Sequence, residues 1–225
     1  MKHFFVTGTD TDVGKTQIAS ALLYKARQTG LTTAAVKPVA AGCEHDGERL
    51  LNDDALQLRA QCYPPLEYQV VNPVAFASPI APHIAAAEQC AELSVMQLAP
   101  QCEQVLAAGA EFALIEGAGG WRVPLNDTET LADLAVALSL PVIVVVGVRL
   151  GCINHALLTL EAVERDGLAV AGWVANVIDP DTSRLEANIA ALKQRITAPC
   201  LGVVPYLSAP KPATLAPYLT LDSLI

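Results

Sequence analysis

A chain of 225 residues that is 52% hydrophobic and only 16% charged, with a mean hydropathy of +0.38, has enough apolar material for one substantial core, so a single domain over residues 1–225 is expected. Its net charge of −9 and pI near 4.8 exclude nucleic acid and anionic membrane surfaces as partners held by general electrostatics, so an anionic ligand has to be captured by local donors. The most apolar run, Leu140 to Val148, carries Pro141 and Gly147 and falls far short of the ~20 residues that cross a bilayer, which makes it a buried strand.

In chain order, Phe4 to Thr7 reads as a strand that breaks into Gly8-Thr9-Asp10-Thr11-Asp12-Val13-Gly14-Lys15-Thr16. In a phosphate-binding loop, glycine lets successive amide N–H groups turn inward, a lysine reaches the outer phosphates, and a hydroxyl can ligate magnesium. Gly14, Lys15 and Thr16 supply that ending, although the standard spacing wants glycine at Thr9 and Gly8 lies one residue early. An incidental Gly-Lys-Thr turn would not be continued by Ile18, Ala19, Leu22, Leu23 and Ala26, which have the spacing of a helix over 15–29 packed on a sheet. Thr33 to Lys37 is the next strand, closed by a lysine. Asn52 then precedes Asp53 and Asp54, a pattern that serves a helix start as well as a ligand site.

Beyond the loops at Tyr63-Pro64-Pro65 and Pro79 to Pro82, a helix over 94–108 leads to the strand Phe112 to Ile115, which ends in Glu116-Gly117-Ala118-Gly119-Gly120. A helix over 130–139 precedes the strand Val142 to Val146, and Gly151-Cys152-Ile153-Asn154-His155 opens a helix over 154–166. Val170 to Val177, a helix over 184–196 and Leu201 to Val204 complete the pattern, and the Pro-rich tail after Pro205 reads as a loop-rich surface segment.

Runs of Val and Ile without polar alternation belong to a parallel sheet covered on both faces, so the fold class is α/β, doubly wound, mainly parallel and like that of P-loop NTPases. Ligands of such sheets bind beyond the carboxyl ends of the strands. Lys37 and Glu116 stand there: a lysine facing the crevice can stabilise a transferring phosphoryl group, and a carboxylate after an apolar strand needs a partner such as magnesium. The six cysteines (Cys43, Cys62, Cys90, Cys102, Cys152, Cys200) form no C-x-x-C pair, and no signal-peptide pattern opens the chain, so reduced thiols in the cytoplasm are expected.

From end to end the chain resembles the dethiobiotin synthetase family. The resemblance rests on Thr7 to Thr16, Lys37-Pro38-Val39, Asn52 to Leu56, Val71-Asn72-Pro73, Pro82-His83, Glu116 to Gly120, Gly151 to His155 and Gly172 to Asn176. The phosphate loop with its extra residue is that family's own form. The resemblance implies an ATP- and magnesium-dependent ligase that closes the ureido ring of dethiobiotin from 7,8-diaminopelargonic acid and carbon dioxide, in biotin biosynthesis. It implies that Asp12, Val13, Gly14, Lys15, Thr16 and Gln17 cradle the phosphates, with Gly117, Ala118 and Gly119 beside the ligand. Thr16, Asp54 and Glu116 would hold magnesium, and Lys37 and Lys15 would serve the reaction. Asn176, Val177, Pro205, Tyr206 and Leu207 would hold the adenine. Gly151, Cys152, Ile153 and Asn154 would present a helix N-terminus to the substrate carboxylate in the neighbouring subunit of a homodimer.

Two positions depart from the family pattern. Ala41 stands where a hydroxyl residue is usual near the substrate, and Ala209 to Ala213 has no acidic residue for the adenosine. His83 reads equally as a substrate-site residue or a packing histidine, His155 as structural, Trp121 as a cover for the site, and Trp173 as core or interface. Two other classes compete: a regulatory or partitioning ATPase of the same fold, which would usually carry a lysine early in the loop where Thr9 to Val13 has none, and a related amidoligase with a shifted substrate.

Overall fold

The computed structural model describes residues 1–225. Strand β1 (Lys2–Gly8) leads through the phosphate loop into α1 (Lys15–Gln28) and β2 (Thr33–Val36). The short β3 (Val39–Ala40), β4 (Glu44–His45) and β5 (Leu50–Leu51) precede α2 (Asp53–Arg59), α3 (Tyr68–Val71), β6 (Val74–Ala75) and α4 (Pro82–Glu88). Alternation then becomes regular: α5 (Val95–Ala107), β7 (Phe112–Glu116), α6 (Leu131–Ala137), β8 (Val142–Val148), α7 (Cys152–Arg165), β9 (Val170–Val177), α8 (Leu185–Arg195), β10 (Cys200–Val204) and α9 (Pro212–Leu215).

Six strands form one sheet in the order β10-β9-β8-β1-β7-β2, every neighbouring pair parallel. Successive residues of a strand point to opposite faces, and here both faces are packed. Phe5, Val144 and Trp173 join one apolar layer with Leu98 of α5, Leu134 of α6, Leu160 of α7 and Leu192 of α8. Phe4, Val6, Ile143 and Val174 join the other, with Ile18 and Leu22 of α1 and Leu58 of α2. Burial on both sides is why β8 has no exposed residue and reads as an unbroken apolar run. After β1 the chain crosses to the β2 edge, returns as β7 beside β1, and continues on the other side with β8. The winding therefore reverses at β1, and the crevice at its carboxyl end is where ligands of such sheets bind.

All six core strands and all five crossover helices foreseen from the sequence are present, with ends moved by a few residues. Two expectations need correction. The segment around Pro79 to Pro82 is loop only as far as Ala81, because Pro82 occupies the first turn of α4, where a missing N–H costs nothing. The tail is not merely a surface segment: Leu215, Leu219, Leu221 and Leu224 are buried on the α1 side, and Lys25 Nζ donates to the Ala216 carbonyl at 3.1 Å. Thr220 N–H donates to the Leu201 carbonyl at 2.7 Å, and a side chain at Gly202 would strike the Tyr218 carbonyl, so the tail lies directly against β10. Burial pushes the thiol of Cys62 up to about 11 and that of Cys102 up to about 12, so both stay protonated as packing residues. No helix is long and apolar enough to cross a membrane.

Candidate active site

The loop between β1 and α1 is shaped by two glycines. At Gly14 the backbone is left-handed (φ 83°), and a Cβ there would run into the Asn176 amide. At Gly8 a Cβ would come within 2.6 Å of Val13 Cγ2, so the loop closes over Val13 only because Gly8 has no side chain. Gly8 thus does for this loop what the standard spacing asks of the next position. From the end of β9, Asn176 Nδ2 donates to the Val13 carbonyl at 2.9 Å. The Lys15 ammonium arches back and donates to the Asp10 carbonyl at 3.2 Å. Burial pulls the pKa of Lys15 below the ordinary lysine value, with Glu116 offsetting part of the effect.

Beside the loop, three strand and helix ends meet. Lys37 follows β2, Glu116 ends β7, and Asp54 lies in the first turn of α2, whose start is fixed by Asn52 Oδ1 accepting the Ala55 N–H at 3.2 Å. Lys37 Nζ lies 2.7 Å from Glu116 Oε1 and 3.1 Å from Asp54 Oδ2. Thr16 Oγ1 donates to the same Glu116 oxygen at 2.7 Å. Lys37 is 4% exposed and Glu116 0%. Burial alone would favour a neutral lysine, but Glu116 and then Asp54 override it and hold the Lys37 pKa above its ordinary value.

The second Glu116 oxygen, Oε2, is buried without a partner. No group of three His, Cys, Asp or Glu side chains is arranged for metal binding. The relevant set is instead two carboxylates and a hydroxyl, and the carboxylates already converge on one cation. Oxygen donors of this kind, with one acceptor to spare, fit a hard divalent ion such as magnesium whose remaining ligands come from phosphates and water.

A crevice of about 910 Å³ runs from this cluster in two directions. Asp12, Gly14, Lys15, Thr16, Gln17, Lys37, Asp54, Ala118, Gly119, Asn176, Val177, Pro205, Tyr206 and Leu207 line it, and Ala41 lines it together with Pro79, Ile80 and Pro82. Val13 is buried beneath the loop, and Gly117 packs against the Phe5 ring rather than into the opening. Glu116 lies behind Thr16 and Lys37. Gly151, Cys152, Ile153 and Asn154 do not line this crevice.

Trp121 does not cover the site. Its ring is buried edge-on to Phe5, with centroids 6.0 Å apart, and its Nε1 donates to Asp166. Trp173 is core, as expected. His83 faces a smaller cavity of about 480 Å³ between α4 and the loop at Leu125 to Asp127, and His155 is exposed on α7. Sequence reasoning missed the support under Lys37: Asn72 Nδ2 donates to the Lys37 carbonyl at 2.8 Å, and Tyr68 Oη donates to Asn72 Oδ1 at 2.9 Å. Val71-Asn72-Pro73 was the available signal, since an asparagine between an apolar residue and a proline is suited to bonding backbone groups where the chain turns.

A protein-family model described as an AAA domain matches residues 2–214. The chain is similar to several proteins named ATP-dependent dethiobiotin synthetase BioD. It is 60% identical over 224 residues to that of Pseudomonas aeruginosa, covering 100% of this chain and 98% of the relative. It is 57% identical over 224 residues to that of Cellvibrio japonicus, again covering 100% and 98%, and 46% identical over 230 residues to that of Marinobacter nauticus, covering 100% and 98%. Among solved structures it resembles a ParA family ATPase from Chlorobium tepidum, with a TM-score of 0.55, 13% identity, and coverage of 99% of this chain and 96% of that one. It also resembles the MinC:MinD cell division protein complex of Aquifex aeolicus, with a TM-score of 0.53, 14% identity, and coverage of 92% and 83%. At such identities these two likenesses speak for the fold, a parallel sheet with a phosphate loop.

Proposed function

The chain belongs to the ATP-dependent dethiobiotin synthetase family, and from that premise we propose that its crevice joins 7,8-diaminopelargonic acid and carbon dioxide into the ureido ring of dethiobiotin at the expense of ATP. The observation that carries the reading is the meeting of the phosphate loop with buried Lys37 and Glu116 and half-exposed Asp54 between the two arms of an otherwise half-apolar crevice.

The chemistry divides into three steps. One amine of the diamine adds to carbon dioxide and loses a proton, giving a carbamate. A carbamate oxygen then attacks the γ-phosphorus of ATP, the β–γ bridging bond breaks, and ADP leaves. Finally the second amine attacks the carbonyl carbon of the carbamic-phosphoric anhydride, loses a proton and expels phosphate as the ring closes. In the second step charge spreads over the phosphoryl oxygens, so positioning and positive charge supply most of the acceleration. The loop amides of Asp12 to Gln17 hold the phosphates, and Lys15, next to them, follows the outer one. Lys37 stands on the substrate side of the same phosphoryl group, its charge held against burial by the carboxylates of Glu116 and Asp54. Thr16, Asp54 and Glu116 are suited to hold magnesium, which when bound neutralises phosphate charge. Asn176, Val177 and Pro205 to Leu207 form the adenine end, and Ala41 with Pro79 and Ile80 the diamine end.

We also place Gly151 to Asn154 in the active site of a second copy, making the enzyme a homodimer. In support, these residues lie away from their own chain's crevice, and beside them Leu150 is 91% exposed and Leu158 56% exposed. The same reading puts the enzyme in the cytoplasm, with no nucleic acid or membrane as partner.

An oxygen-label experiment tests the reaction. With the diamine, ATP and oxygen-18 bicarbonate used before its label exchanges with water, dethiobiotin forms, one labelled oxygen appears in the released phosphate, and another stays in the ring carbonyl. Unlabelled phosphate under controlled exchange would mean that ATP is only hydrolysed.

A further inference from the structure

One carboxylate outside the crevice holds two neighbouring residues of the Gly-rich turn segment at once. Asp166, which closes α7, accepts the Trp121 indole N–H on Oδ2 at 2.7 Å and the Arg122 guanidinium on Oδ1 at 2.7 Å. The Asp166 side chain is 16% exposed and Trp121 is buried, so the indole bond is made largely out of water, where it is stronger than at an open surface, while the Arg122 side chain, 49% exposed, closes the pair on the solvent side.

What the clamp holds leads to the phosphate loop. The Trp121 ring rests on Phe5, and Gly117 touches the same ring so closely that a Cβ would come to 3.2 Å. Beyond it, Gly119 is left-handed (φ 60°), and a Cβ there would lie 3.5 Å from Thr11 Oγ1. A Cβ on Gly120 would lie 3.6 Å from the Gly8 carbonyl. The turn therefore lies beside the phosphate loop on one side, with space for little more than a methyl group between them, and is anchored through Trp121 on the other. Glycines offer no side chains of their own to fix such a turn, so its position depends on its neighbours.

We propose that Asp166 is a positioning residue for ATP: by holding Trp121 and Arg122 it fixes the Gly117–Gly120 turn against the phosphate loop. The proposal deepens the reading of the crevice as an ATP site and rests on it. Nothing in Asp166 touches substrate, and its effect passes entirely through the turn.

The test compares Asp166→Ala and Asp166→Asn with the wild type. The readouts are the KM for ATP set against kcat, the equilibrium affinity for a non-hydrolysable ATP analogue, and tryptophan emission. Trp173 is fully buried with no partner for its Nε1, so it contributes a constant background, whereas Trp121 reports the loss of its carboxylate. In Asp166→Ala, loss of a pair of charge-assisted bonds should raise the ATP KM about tenfold, weaken the analogue by a similar factor and shift the emission, with KM changing more than kcat. Asp166→Asn keeps an acceptor for the indole but loses the charge, and should recover the emission and leave a rise of about threefold. A folded Asp166→Ala with wild-type KM and analogue affinity overturns the proposal. Should the alanine variant fail to fold, Asp166→Asn decides in the same way, since wild-type values there overturn it too. A wild type that binds the analogue but forms no dethiobiotin would sink the reaction, while Asp166 would still be judged on analogue affinity.

Discussion

Removing the Lys37 ammonium would leave Glu116, which is fully buried, with the Thr16 hydroxyl as its remaining partner. A buried charge stripped of its counter-ion costs about 3–5 kcal/mol, while loss of a preorganised charge at a transferring group typically costs ~10²–10³ in rate. Lys37→Gln, which can still donate one hydrogen bond to Glu116, should lose catalysis by about that factor or more while keeping the fold. Near wild-type kcat with an unchanged far-UV circular dichroism spectrum would remove Lys37 from the mechanism. Asp54 is a different case, because its side chain is 44% exposed. Asp54→Ala should fold normally yet need a higher magnesium concentration for half-maximal activity, since a hard cation has lost an oxygen donor. An unchanged magnesium titration would return Asp54 to the role of an acidic residue at a helix start.

At the scale of elements, the junction of β1 with α1 is the most constrained. Helix α1 has no side-chain cap and starts directly from Gly14 in the left-handed region. Its first N–H groups are therefore free to meet an anion rather than a cap. Gly14→Ala would force Cβ toward the Asn176 amide in a conformation that costs a non-glycine residue about 1–2 kcal/mol. The expected outcome is a modest drop in Tm and a loss of ATP-analogue affinity of about tenfold or more by calorimetry, as Asn176 and the Val13 carbonyl are pushed apart. Wild-type affinity in a folded Gly14→Ala would show that the loop adapts and that its shape is not set at this residue. The strands were foreseen because each is a short, mainly apolar run, four of the six ended by a polar or glycine residue and another by Pro205, a local signal. Helix α4 and the buried tail were not, because Pro79 and Pro82 around the start of α4 read as loop, and the tail's leucines, among and after prolines, lack helical spacing.

At the scale of the whole molecule, the question is whether one chain makes one active site. The N-terminal end of α7 opens on the left-handed Gly151 and lies outside its own chain's crevice. If it serves a second copy, each crevice needs Lys37 from one chain and Asn154 from the other. Lys37→Gln and Asn154→Ala proteins, each nearly inactive alone, should regain up to about a quarter of wild-type activity when mixed as equal parts, because one site of each mixed dimer, half of a random population, is intact. No recovery after proven subunit exchange, or sedimentation of an active monomer at assay concentration, would discard the shared site.

The sequence by itself determined the class of fold and the phosphate loop, and it singled out the two strand-end residues, Lys37 and Glu116, that meet in the ion pair. Each is written in short-range order: a Val- and Ile-rich run, a glycine where the chain must turn, and a charged residue where an apolar strand stops. Through its resemblance to one family, the sequence also indicated the reaction. Tertiary structure decided what short-range order cannot carry. The strand order around β1 brings Thr16, Lys37, Asp54 and Glu116 from four separate segments into one cluster, and only there does the balance between burial and two carboxylates hold Lys37 charged. It placed Asn72 under Lys37 and Asp166 behind the Gly-rich turn, pairings separated by 35 and 45 residues. It also buried Trp121 where the sequence suggested a cover. A side chain's partner across the chain depends on which strands become neighbours, and that is settled by packing two apolar layers on one sheet, not by any residue's own neighbourhood.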